Sequence, residues 1–224
     1  MRKILSSFIL VFAFPFRLLK RTRIDNFIGG LIFGATFSLI VNVLTVQLQE
    51  TILRQRMLEA LEQEIGMNTL QANTILSSAN DQIEKKSPLN YFHFPLKYSS
   101  DIWTQSSEPL SYVSQLDQET QIKVTSYYLL SIKYANNYVD KAKEMTTAAV
   151  PVCFDPGVNL IEENSEECLS RTLAIMQTES YGAADIAKVG FDVLKAFHPT
   201  QDRLNNPLLR IIMGNKSTRF FSGQ

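Results

Sequence analysis

The chain has 224 residues, 22 of them basic and 22 acidic, and 45% are apolar. This is a folding composition, which excludes wholesale disorder and a many-span transporter. A net charge of zero argues against a free nucleic-acid binder, and the length suits one medium domain with an attachment or two small domains.

The neutral total divides into opposite parts. Residues 1–25 hold Arg2, Lys3, Arg17, Lys20, Arg21 and Arg23 against Asp25, a net of +5. Within them, residues 4–16 read ILSSFILVFAFPF. Thirteen residues are short for a span, and Pro15 ends or kinks a helix. Three readings compete. A signal peptide would use Arg2 and Lys3 as its n-region, but no small-x-small cleavage site follows. A first span would form a hairpin with the next. The preferred reading places the segment in the membrane interface, with Arg17, Lys20 and Arg21 on anionic headgroups.

Residues 26–49 carry no charge, and residues 50–224 carry a net of −5. A basic head, a charge-free stretch and an acidic body is the layout of an anchored protein. The stretch 27–48 is 22 residues long. As a helix it reaches about 33 Å, against a hydrocarbon core of about 30 Å. Its polar members, Thr36, Ser38, Asn42, Thr45 and Gln47, are uncharged, and Ser or Thr can bond back to its own helix. A soluble core helix is the weaker reading, because such helices seldom run this far without a charged face. We therefore expect a transmembrane helix over 26–48. Six basic residues precede it and two, Arg54 and Arg56, follow closely. The positive-inside bias then places the N-terminus in the cytoplasm of the cell (inner) membrane and the rest outside. Gly30, Gly34, Ser38 and Asn42 recur every four residues on one face. Small residues let helix backbones approach closely, so this face is the candidate contact with a second span.

The span is expected to continue as a long helix over 49–86, rich in Leu, Glu, Gln and Ala and free of proline. Leu58, Leu61, Ile65, Asn68, Ala72, Ile75, Ala79 and Gln82 follow coiled-coil spacing. Two outcomes follow from this stripe. It pairs with a second copy or a partner as a stalk, through Leu58, Leu61, Ile65 and Ile75, or it faces the chain's own helical bundle. Ser87-Pro88 stops the helix.

Residues 87–224 make the rest of the expected extracytoplasmic domain. Tyr91, Phe92, Phe94 and Tyr98 surround His93 in a loop suited to plugging the end of a bundle. Asp101 is the expected N-cap of a short helix with Ile102 and Trp103, and Pro109 allows another over 110–116. Asp117 should cap a helix over 118–149, with Ile122, Leu129, Ile132, Ala135, Val139, Ala142 and Met145 inward and Tyr127, Tyr128, Tyr134 and Tyr138 on its flanks. A Pro- and Gly-containing break covers 150–163. Asn164 and Glu167 have capping-box spacing for a helix that Gly182 should interrupt. A helix over 184–197 ends at His198-Pro199, and 208–213 is a last apolar turn before a polar tail. Strand signals are nearly absent, so the expected class is all-α.

Cys153 and Cys168 are the two cysteines. An even count on an exported domain fits one disulfide, although two reduced thiols are the alternative. Other chemical signatures are missing. There is no phosphate loop, zincin pair or nucleophile elbow. Nothing groups His93 or His198 into a catalytic set, and the acidic run Glu162, Glu163, Glu166, Glu167 lacks the form of a calcium loop. We expect no enzyme activity, no metal and no cofactor.

The basic head, one span and the helix LEALEQEIGMN of residues 58–68, followed by Ile102-Trp103 and Ser126-Tyr127-Tyr128, resemble a loose group of uncharacterised bacterial single-pass membrane proteins. The resemblance covers residues 17–140. It implies a bacterial membrane protein with a helical domain and implies no activity. The expected function is structural: a homo-oligomer in the bilayer or an accessory subunit of another membrane protein. A sensor domain signalling through a partner is the alternative, since the 25 or so residues inside are too few for a kinase or cyclase. Whether a small molecule binds is left open by the residues.

Overall fold

The computed structural model describes residues 26–85, 95–106, 108–153 and 166–215. All regular structure among them is helical. The elements are α1 (Asn26–Lys85), α2 (Asp101–Gln105), α3 (Pro109–Val113), α4 (Gln118–Ser126), a π-helical turn (Tyr127–Ser131), α5 (Ile132–Cys153), α6 (Glu166–Ala196), α7 (Pro199–Asn205) and α8 (Pro207–Met213). The chain divides into two compact units at residues 53 and 54. The readings placed on residues 1–25, on the 87–94 part of the aromatic loop with His93, and on Asn164, Glu162 and Glu163 lie outside the described residues.

In the first unit, the described residues are the apolar half of α1. From Leu31 to Leu48 its surface is almost wholly exposed. This is one helix long and apolar enough to cross a membrane.

The second unit is built on three long helices. α6 runs antiparallel to α5, because Cys153 meets Cys168 at one end and Gly182 meets Ala135 further along. α6 also runs antiparallel to residues 58–79 of α1, since Gly190 abuts Thr69 while Ala79 clusters with Met176. Leu58, Leu61, Ile65 and Ala72 of α1 share one core with Val124, Ile132, Ala135 and Val139, and with Ile186, Val193 and Phe197. Fully burying a Leu or Ile side chain stabilises by about 1.5–3 kcal/mol.

This overturns the stalk. Leu58, Leu61 and Ile65 are buried in their own domain and Ile75 packs against the same core. The coiled-coil stripe is present, but α4–α6 already cover it, so no second copy can use it.

Gly182 does not interrupt α6. A Cβ there would lie 3.0 Å from the Ala135 carbonyl oxygen and 3.2 Å from Tyr138 Cβ, so glycine serves close packing inside a continuous helix. The 118–149 stripe is also corrected. α4 buries Thr120 and Val124 and leaves Ile122 exposed, and the π turn that follows carries Tyr127 and Tyr128 into the core with Leu129 outside. Trp103 stacks on Tyr128 at 4.7 Å, and Tyr127 meets Tyr128 edge-on at 5.2 Å. α5 passes through Pro151 to Cys153, because the ring's fixed φ suits a helix and costs one bond near its end. The Cys153–Cys168 disulfide, with Cα atoms 5.5 Å apart, closes the α5–α6 connection. In the chain-entropy model a loop of this size contributes about 3 kcal/mol.

Candidate functional site

Two regions stand out, one on each unit. On the first, Gly30, Gly34, Ser38 and Asn42 are all exposed, and a Cβ added at either glycine would meet nothing within 4 Å. The neighbouring hydroxyls are internally satisfied. Thr36 Oγ1 donates to the Ile32 carbonyl and Thr45 Oγ1 to the Val41 carbonyl, each at 2.8 Å. With these two hydroxyls bound back to the helix and no charged residue over 26–49, the stretch can enter hydrocarbon without an unmet charge.

On the second unit, α1 supplies polar side chains that fasten the shorter elements. Residues 95–100 form a strap. Asn68 Nδ2 donates to the Ser99 carbonyl (2.7 Å) and its Oδ1 accepts the Ser99 N–H (3.0 Å). Asn136 of α5 treats Tyr98 in the same way, at 3.1 and 2.9 Å. The strap is thus hydrogen-bonded through adjacent peptide groups to two different helices.

Glu64 Oε1 accepts from Ser99 Oγ (2.6 Å) and the Ile102 N–H (3.1 Å). It caps α2 from outside, where Asp101 was expected to serve. The N-cap is Ser100, whose side chain makes no capping bond. Glu62 Oε2 does the same for α7, accepting from the Thr200 N–H (3.1 Å) and Thr200 Oγ1. Orphan amides at helix starts favour an anionic acceptor. One turn back, Glu59 pairs with buried Arg203 at 2.6 Å, and Gln55 Nε2 donates to the Pro199 carbonyl. Sequence reasoning gave Gln55, Glu59, Glu62 and Glu64 no role, because the long helix was read through its apolar stripe alone. No local signal marked them, because their partners lie 35 to 144 residues further along the chain.

Burial, aided by Glu64, raises the Tyr127 and Tyr128 phenols well above their ordinary value, and burial with nearby Glu179 does so for Tyr98. They stay protonated and act as core aromatics. Burial also raises the Glu62 carboxyl, while the bonds from Thr200 and the nearby His198 pull it down. A raised folded value means that this group's stabilising contribution is whole below its unfolded value of about 4.3 and is lost as pH rises through the folded value. Glu62→Gln keeps an acceptor for Thr200 and removes the charge. The change in Tm caused by Glu62→Gln should therefore be more favourable at pH 7 than at pH 4. Thermal melts at both values check this, and a change more unfavourable at pH 7 would contradict it.

The remaining candidates are dispersed. His198 lies exposed, with Nε2 2.7 Å from the Lys195 carbonyl. Glu167 pairs with Arg171 at 2.6 Å on an exposed helix start. Among the described residues no group of three or more His, Cys, Asp or Glu could hold a metal ion. A surface depression of about 380 Å³, lined by Lys123, Asp192, Lys195 and Ala196, is open to solvent and shares no residue with the α1 cluster.

Comparison with known proteins adds no relative. No family model, no curated protein and no solved structure matches this chain.

Proposed function

We propose that this is a bacterial single-span membrane protein with its N-terminus in the cytoplasm and its helical domain outside. Its role is structural: it associates with a second copy or with another membrane protein. The observation that carries the reading is the run from Leu31 to Leu48, charge-free, helical and exposed over almost its whole surface. In water that surface is a liability, whereas in a bilayer it is at rest. The basic flank at Arg17–Arg23 supports the orientation through the positive-inside bias. Gly30, Gly34, Ser38 and Asn42 supply the contact within the bilayer, where small residues permit close approach and Asn bonds across.

Alkaline carbonate should leave the chain in vesicles, and protease added to spheroplasts should remove the domain. Release by carbonate, or a domain protected in intact spheroplasts, sinks the anchor or its orientation respectively. Crosslinking in native membranes tests the contact. Gly34→Leu combined with Ser38→Leu should abolish the crosslinks, and a variant that retains all of them refutes it.

The sensor reading draws on one observation, that α1 is a single helix from the apolar run into the domain core. A ligand-dependent rise in Tm of the full chain would favour it.

A further inference from the structure

We propose that a second copy of this chain docks on the tyrosine face of α5 and α6, across a two-fold axis at the level of Tyr138 and Tyr181 that sets the helices of the two copies antiparallel. The proposal concerns the second unit alone. It goes beyond the contact within the bilayer and does not depend on it.

The face lies on the side of α5 and α6 turned away from the shared core. Tyr134 and Tyr181 are 49% and 55% exposed. With Tyr138 they form one row, the ring centroids 4.9 Å apart from Tyr134 to Tyr138 and 6.0 Å from Tyr138 to Tyr181. The row is fixed before any partner arrives. The Tyr134 and Tyr138 hydroxyls lie 3.1 Å apart, Gln177 Nε2 donates to the Tyr181 hydroxyl at 3.3 Å, and Lys141 Nζ sits 5.4 Å from the centre of the Tyr138 ring. Tyrosines held in this way offer a large contact area at little cost in side-chain freedom, which is why interfaces are rich in them.

The charges around the row say which partner fits. A Cβ at Gly182 would lie 3.2 Å from Tyr138 Cβ, so positions 138 and 181–182 stand at one height on the two antiparallel helices. From that height outward, opposite signs mirror each other. On α5, Lys133 lies five residues before Tyr138 and Glu144 six after, and both are exposed. On α6, Gln177 and Asp185 stand four residues either side of Tyr181, and Glu167 and Lys195 fourteen either side, close to four full turns. A two-fold axis across the helices at this height lays Lys133 of each copy on Glu144 of the other, Lys195 on Glu167 and the Gln177 amide on Asp185. No charged residue of either helix mirrors one of its own sign. Each pair forms twice, as an isologous contact requires. A face whose signs complement themselves is built for its own copy rather than for an unlike protein.

The test uses the full chain in detergent, with Asn137→Cys as its one free thiol, because the native cysteines are joined to each other. Asn137 is exposed and lies beside the axis without belonging to the tyrosine row. A short bis-maleimide should join two copies through position 137 and leave Leu110→Cys, on exposed α3, monomeric. Adding Lys133→Glu should lower the dimer yield about tenfold, since it sets like charges against each other twice. Adding Glu144→Lys to that variant should bring the yield back. Equal yields at 137 and 110 overturn the proposal. A yield indifferent to Lys133→Glu overturns it, and so does a loss that Glu144→Lys fails to reverse, which assigns the row to an unlike partner.

Discussion

Gly190→Ala should destabilise the chain by about 2–3 kcal/mol, and Thr69→Ala should restore most of that loss. The added Cβ would fall 2.2 Å from Thr69 Oγ1 and 3.4 Å from Thr69 Cβ. Thr69 cannot step aside cheaply. It is buried, and its hydroxyl donates to the Ile65 carbonyl at 2.7 Å. Swinging Oγ1 away breaks that bond or puts a methyl in the same place, while Tyr127 Cε2, 3.5 Å from the new atom, closes the other side. Against this stands the gain of about 1 kcal/mol that alanine brings to a helix interior. Overpacking wins because the contact is far inside van der Waals distance. Thermal unfolding of the two single variants and the double variant, in detergent, gives the coupling directly. Simple additivity would show that the close approach does not govern the site.

Arg203→Met is the second large effect, about 3–5 kcal/mol, because it leaves the Glu59 charge in a mostly enclosed place with no cation against it and only the neutral Gln55 amide at 3.0 Å. Arg203 is 6% exposed and Glu59 15%, with 2.6 Å between them. The same substitution removes the bond that Arg203 Nη1 donates to the Gly214 carbonyl at 2.8 Å, so α8 loses the fastening at its C-terminal end. The double variant Glu59→Met, Arg203→Met should be clearly less destabilised than Arg203→Met alone, since no uncompensated charge remains. Limited proteolysis checks the local part. Cleavage between α7 and α8 should appear early in the single variant, and an unchanged digestion pattern with an unchanged Tm would refute both parts.

Much of the fold was legible because its signals are local. Absence of charge over 26–49 marks the apolar helix without reference to anything distant. The spacing of Leu58, Leu61, Ile65, Asn68 and Ala72 marks a helix and its buried face. Asp117 caps α4 as read, accepting the Thr120 N–H at 3.0 Å, because capping needs only four residues. What escaped depends on partners far along the chain. The same stripe serves a stalk or a core, and only α4–α6 decide between them. Gly182 reads as a break until Ala135 is seen against it. Tyr127 and Tyr128 read as flanks until the π turn moves them inward. α7 was not foreseen at all, because its cap, Glu62, lies 138 residues earlier. Gly30, Gly34, Ser38 and Asn42 were legible as a four-residue pattern, and all four are exposed.

The covering of α1 also has a consequence for the order of synthesis. The apolar stripe from Leu58 to Ala72 leaves the ribosome early, but Ile186, Val193 and Phe197, which close over it, are made more than a hundred residues later. At an elongation rate of about 5–20 residues per second that interval is on the order of ten seconds. Throughout it, a greasy ridge and the carboxylates of Glu62 and Glu64 await their mates. The core of this domain therefore cannot close until residue 197 has been added.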